Sequence, residues 1–357
     1  MSEVEHAALL VLLSESGGNL TMAILYVAQP GAELRKHGER LKVQWQDEVL
    51  TAIPLRDVER VVLLGPVQLS AAAAQTLLKK NIPVIFATTK GRYCGTLSSG
   101  QENTELLLKQ VDLYRDEGYR LGVAKAIVAA KIKHQRSLLR RYGRNHPHPD
   151  IHEAANQITD LLSRLETAAS VPESMGFEGQ ASALYFGVFG KCLRQEGVEF
   201  THRNRRPPRD PVNALLSLGY MLVTGESVGA LAALGLHLGL GFLHEIFPNR
   251  PSLALDLVEL FRQPVVDRLT LSLFNRRIFT PDDFQEREDN GVRLTEEALK
   301  RYFFLYERAM TTPFQQPGGS GEETSPLTFR KLMTKMAQNL RNAVRETEPW
   351  TPKALAL

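Results

Sequence analysis

The chain has 357 residues, with 43 Lys and Arg against 40 Asp and Glu, 43% hydrophobic residues and 2 cysteines. Average apolar content and a net charge of +3 exclude a disordered chain, and 357 residues exceed the roughly 250 to 300 at which one core splits, so two domains are expected. Cys94 and Cys192 are too few for a disulfide framework or a four-thiolate zinc site, and the N-terminus lacks a secretory signal, so a cytoplasmic, reduced protein is expected.

In chain order, residues 1–21 read as an N-terminal extension and 22–100 as a β-rich domain. Leu41, Val43 and Trp45 alternate with Arg40, Lys42, Gln44 and Gln46, the period of a half-buried strand. Short apolar runs at Val61 to Leu64 and Ile82 to Ala87 flank the Ala-rich stretch Ser70 to Lys80, which predicts a helix capped by Ser70.

From Thr104 the period becomes helical, with Leu106, Leu107, Val111 and Tyr114 opening one long segment to about Tyr142. Further helices are expected at 150–170, 173–196, 211–224, 228–238, 252–262, 267–275, 295–311 and 328–346. The expected architecture is α+β in two domains: an N-terminal β-rich domain, then a larger all-α catalytic domain over 101–345, with 346–357 as a tail. Gln316 to Glu323 reads as a flexible Gly-rich loop. The longest apolar stretch, Val228 to Leu243, is shorter than the about 18 residues of a membrane span and carries His237 and four glycines, so it reads as a buried helix and no membrane partner is expected.

The chain has no P-loop, no Gly-x-Gly-x-x-Gly after a strand and no Cys-x-x-Cys. What remains is a set of carboxylates and one histidine in apolar, Gly-rich helical text: Glu178, His244, Asp256 and Glu259. Asp256 and Glu259 are three residues apart, so they share one helix face and repel unless a cation lies between them; alternatively they form a solvated helix edge. His244 alone reads more readily as a hydrogen-bonded core or surface histidine than as a ligand. Glu178 stands at the start of an expected helix, where the macrodipole favours an acid without any function. If they converge, two carboxylates and an imidazole suit Mn²⁺ or Mg²⁺ rather than structural zinc. Basic clusters offer that ion a substrate. Arg203, Arg205, Arg206 and Arg209 crowd one Pro-stiffened loop, which either faces solvent or meets a polyanion. The run Lys131 to Arg144 reads as a basic helix face, in contact with phosphate or water.

The order of these motifs resembles the CRISPR-associated adaptation integrase family, the first-numbered Cas protein. The matching text is Glu178–Phe186, Asn204–Tyr220, Gly235–Glu245 and Arg250–Arg268, with weaker likeness at Leu25, Gly31 to Leu34 and Ile53. It covers about Met22 to Arg277. The resemblance implies a β domain followed by a helical domain, a homodimer, and assembly with a small ferredoxin-like subunit. It places the metal ligands and catalytic residues on Glu178, His244 and Glu259, with Asp256 at a nearby acidic position. Tyr220 and Arg262 match an aromatic and a basic position near the site, and with Arg203, Arg205, Arg206 and Arg209 they form the expected DNA-binding set. The implied activity is metal-dependent endonuclease and integrase chemistry on double-stranded DNA, in which a fragment's 3′-hydroxyl attacks a CRISPR repeat strand. A stand-alone nuclease on branched DNA and a non-catalytic DNA-binding scaffold are the rival readings.

Overall fold

A computed structural model describes residues 9–16, 19–88, 93–97, 104–205, 207–286, 291–314, 327–352 and 354–355. The chain divides into two compact units, Met1–Gln101 with Leu294–Thr311, and Glu102–Arg293 with Thr312–Leu357. The fold is mixed α and β, strands first and helices after, as the sequence pattern predicts.

Among the described residues the first unit contains nine strands: β1 Leu9–Ser16, β2 Asn19–Val27, β3 Glu33–His37, β4 Arg40–Trp45, β5 Glu48–Pro54, β6 Val58–Leu64, β7 Gln68–Leu69, β8 Val84–Ala87 and β9 Tyr93–Leu97. One sheet runs β1-β2-β6-β8-β9 and another β5-β4-β3-β7. In β4, Leu41 and Val43 are fully buried while Arg40 and Lys42 are not, the alternation expected of a strand with one face on a core. Helix α1, Ala71–Lys79, starts where Ser70 Oγ accepts the Ala73 N–H at 3.3 Å. The expected N-terminal extension is corrected: Leu9–Ser16 pairs antiparallel with β2, because 1–21 contains apolar text that extends the sheet by one edge strand.

The second unit carries α2 Thr104–Arg115, α3 Glu117–Asn145, α4 Pro149–Leu165, α5 Val171–Phe189, α6 Pro211–Ala232, α7 Ser252–Val258 and α8 Arg268–Asn275. Helix α9, Glu296–Thr311, returns to the first unit, where Phe303 lies 5.3 Å from the Tyr26 ring; α10, Phe329–Glu346, belongs to the second. Within the second unit α3 packs on α4 and α5, and α6 on α7 and α10.

Several expected boundaries move. The helix expected from 104 to 142 breaks at Asp116, whose carboxylate caps α3 by accepting the Tyr119 N–H at 2.9 Å. The two helices expected at 211–224 and 228–238 are one, α6. By length and composition α6 could cross a membrane, but 61% of its apolar window is buried in the protein. The domain expected to be all helical also holds a short ribbon, Phe284–Glu286 with Val292–Leu294. The expected tail is packed: Trp350 and Leu355 are buried, and the Leu355 N–H donates to His134 Nε2 at 2.6 Å. The expected loop at Gln316 to Glu323 lies outside the described residues.

Candidate active site

The site is built on α3, α5 and α7 and on the irregular segment between α6 and α7. That segment has no helix or strand to satisfy its backbone, so side chains do it. Gln110 of α2 donates to the His237 and Leu240 carbonyls at 2.9 and 3.2 Å and accepts the His237 N–H at 3.0 Å. Arg120 of α3 donates to the Phe242 carbonyl at 3.0 Å. The buried Asp256 carboxylate accepts the N–H groups of Phe242, Leu243 and His244 at 2.5, 3.0 and 2.9 Å. A glycine is required at position 241, because a Cβ there would stand 2.7 Å from the His244 carbonyl oxygen and 2.8 Å from Ser252 Cβ.

Asp256 also takes the His244 ring, Nδ1 to Oδ1 at 2.7 Å. A carboxylate only accepts, so Nδ1 carries the proton of this hydrogen bond and Nε2 is the ring nitrogen left for another partner. Nε2 faces Glu259 Oε1 at 3.9 Å. The expected shared face of Asp256 and Glu259 is thus divided between partners: Asp256 orients the histidine, while Glu259, where α7 ends, pairs with Arg262 at 3.0 Å and with Lys131 at 2.5 Å. Burial would push the Glu259 carboxyl up, but Arg262, Lys131 and His244 outweigh it and hold it down at about 2.

Glu178 lies in the middle of α5 rather than at its start, which corrects the macrodipole reading. Its carboxylate is ion-paired with Lys131 and accepts the Ser182 hydroxyl at 2.7 Å, and Ser182 accepts from Gln135 at 3.0 Å. Glu178, His244 and Glu259 line one cleft of about 580 Å³ with Lys131, Arg203, Arg205, Tyr220 and Arg262. Among the described residues, however, no three His, Cys, Asp or Glu side chains stand close enough as they are to hold an ion. Lys131 occupies the carboxylates instead.

On the cationic side, Arg203 donates to Asn213 Oδ1 at 2.7 Å and to Ser217 Oγ at 3.0 Å. Two guanidinium groups stand over the Tyr220 ring, Arg203 at 5.3 Å and Arg262 at 5.0 Å from its centroid. Its hydroxyl donates to Asp267 Oδ1 at 2.6 Å, and Tyr185 donates to Oδ2 at 2.8 Å. Burial pushes the Asp267 carboxyl up to about 6, against the pull of both tyrosines and both arginines. Arg205 and Arg209 are exposed, and Arg209 closes its own loop through its N–H to Asn204 Oδ1 at 2.8 Å. Arg206 lies outside the described residues.

Sequence reasoning missed Gln110, Arg120 and Asp267, and read Lys131 as part of a basic helix face rather than as a buried partner of the two acids. The signal for Lys131 was present: it continues the stripe Ala124, Ile127 and Val128 at helical spacing, a lysine on a core face.

The family described as CRISPR associated protein Cas1 matches residues 25–308. The chain belongs to this family. The CRISPR-associated endonuclease Cas1 1 of Thermus thermophilus is 35% identical over 332 residues, 92% of this chain and 98% of its own length. A CAS1 protein from Thermotoga maritima has a TM-score of 0.76 at 27% identity, over 90% of this chain and 96% of that one. A chain of a Cas6-RT-Cas1–Cas2 complex has a TM-score of 0.80 at 26% identity over 96% of this chain, which spans 37% of that longer chain. The Cas1 family and its mixed fold agree with the resemblance read from the four motifs.

Proposed function

We propose that this protein is a metal-dependent DNA endonuclease and integrase of CRISPR adaptation, which inserts foreign DNA fragments as new spacers into the array. The observation that carries the reading is the meeting of Glu178, His244 and Glu259 with Arg203, Arg205 and Arg262 around one cleft. The donor set fits Mn²⁺ or Mg²⁺: two carboxylates and one imidazole nitrogen oriented by Asp256, with Glu259 Oε2 buried against the Lys131 ammonium. Bound there, the ion would supply Lewis-acid polarisation of a phosphodiester and an acidified attacking oxygen.

The chain's own residues bind and orient. Arginine forks match the non-bridging oxygens of phosphate, and Arg262 is held for that task by Glu259. Strand transfer forms one P–O bond as it breaks another: the attacking 3′-hydroxyl loses a proton to solvent and the leaving 3′-oxygen of the repeat strand gains one. No external energy source is needed. With water as the attacking group the same cleft would hydrolyse DNA. The proposed partners are double-stranded DNA, a second copy of this chain and a small ferredoxin-like adaptation subunit, in the cytoplasm; the Cas2 in the name of the similar complex supports such a subunit.

The test supplies the protein and the small subunit with Mn²⁺, a repeat-bearing plasmid, and duplex fragments ending in 3′-OH or 3′-phosphate. Covalent joining is expected with 3′-OH only, and is expected to be lost in a folded His244→Ala variant. Full joining by that variant would remove the metal assignment. Nicking without joining would leave a hydrolytic nuclease, and chelator-insensitive binding without product would leave a scaffold.

A further inference from the structure

Lys131 departs from the basic run it belongs to. Lys133, Arg140, Arg141 and Arg144 are exposed on α3, whereas Lys131 is 5% exposed and turns inward. Its ammonium is ion-paired with Glu178 and stands 2.5 Å from Glu259 Oε2, so one cation bridges acids from α5 and from the end of α7. Around the same carboxylates Arg262 takes Glu259 Oε1 and the Ser182 hydroxyl takes Glu178 Oε1. The Lys131 ammonium is thus the cation that meets Glu259 Oε2, while Arg262 meets Oε1 of the same carboxylate.

We infer that Lys131 is the resident cation of the cleft: it neutralises Glu178 and Glu259 in the metal-free protein, and a divalent ion loads by displacing it. The inference rests on the metal reading proposed above. Glu259 is buried and Glu178 beside it half-buried, and two carboxylates drawn together in such a place without a counter-charge are costly, so a cation between them is needed in the folded protein. A dication between the same oxygens would meet the ammonium at contact distance in a poorly screened site, where like charges repel strongly. Both cannot stay. The lysine has a flexible four-carbon stem and lines a cleft that also holds Arg203 and Arg205, so the displaced ammonium has open space in which a phosphate can receive it. Displacement also explains why the three expected ligands converge without forming a ready-made ion site.

Isothermal titration of the full-length protein with Mn²⁺ alone tests the inference, using wild type, Lys131→Met and His244→Ala, together with melting in EDTA and in Mn²⁺. Lys131→Met keeps the apolar stem and removes the competing charge, so Mn²⁺ is expected to bind about tenfold tighter or more. Its Tm in EDTA is expected to fall, and Mn²⁺ to raise it further than in wild type. Unchanged or weaker Mn²⁺ binding by folded Lys131→Met would overturn the inference. In that case a loss of Mn²⁺ binding in His244→Ala leaves the metal reading standing, whereas unchanged binding in His244→Ala brings that reading down. If Lys131→Met does not fold, crystals of wild type with and without Mn²⁺ decide. The ammonium leaving both carboxylates in the loaded crystal supports displacement, and its remaining on both alongside the bound ion refutes it.

Discussion

Asp256 shows how one buried side chain sets the geometry of another. Its two oxygens accept three backbone N–H groups and the His244 ring, so the turn that presents the histidine and the ring's orientation depend on one carboxylate. Asp256→Asn exchanges an acceptor oxygen for a donor and leaves at least one of those N–H groups unsatisfied. It is expected to cost about 2 kcal/mol in urea unfolding and to lower Mn²⁺ affinity or strand transfer about 10- to 100-fold, as loss of an orienting partner does. A variant as stable and as tight-binding as wild type would show that the turn holds itself. In the sequence, the acid and histidine character of Glu178, His244, Asp256 and Glu259 was legible, because charged residues in apolar, Gly-rich text are conspicuous. Their division of labour was not. Asp256 and Glu259 are equivalent by spacing, and only the fold aims one at the turn and the other at the cleft.

At the scale of elements, helix starts were easier to read than helix continuity. Ser70, Ser170, Asp210 and Thr328 each cap a helix through the side chain, a signal carried within four residues of chain, although the same signal at Asp116 went unread and the break there was missed. The expected break between Thr224 and Val228 fails for a reason that lies far away in sequence. Gly225, Glu226 and Ser227 interrupt the apolar text, yet Glu226 is buried and takes Arg330 of α10, Nη2 to Oε1 at 2.6 Å and Nε to Oε2 at 3.2 Å. Ser227 donates to Met333 Sδ at 3.4 Å. With its polar groups satisfied by α10, α6 runs straight through. Glu226→Ala removes the carboxylate from a guanidinium that is 11% exposed, and is expected to cost about 3 kcal/mol, the low end for a broken buried pair because Arg330 reaches some water. Glu226→Met with Arg330→Met is expected to recover most of that in the same denaturation experiment. A double variant as unstable as the single one would mean that packing, not the ion pair, joins α6 to α10.

Across the whole molecule, sheet order and charge both escape a reading made along the chain. The order β1-β2-β6-β8-β9 inserts neighbours that are distant in sequence, and α9 returns to the first unit after α2 to α8 and before α10. Local periodicity carries no record of either. A net charge of +3 likewise says nothing of DNA, since 43 bases and 40 acids nearly cancel. Affinity for a polyanion then depends on where the uncompensated arginines stand. Arg205 is exposed and lines the cleft, while Arg203 in the same cleft is tied to Asn213, Ser217 and the face of Tyr220. The two are therefore expected to separate in one experiment, duplex binding followed by anisotropy over a range of KCl. Arg205→Ala is expected to lower the slope of log K against log salt by about one, the signature of one lost phosphate contact, with Tm unchanged. Arg203→Ala is expected to lower both the slope and the Tm, because its guanidinium also braces α6. If Arg205→Ala weakens binding equally at every salt concentration and leaves the slope intact, Arg205 does not meet a phosphate, and the backbone of the DNA follows another path across the helical unit.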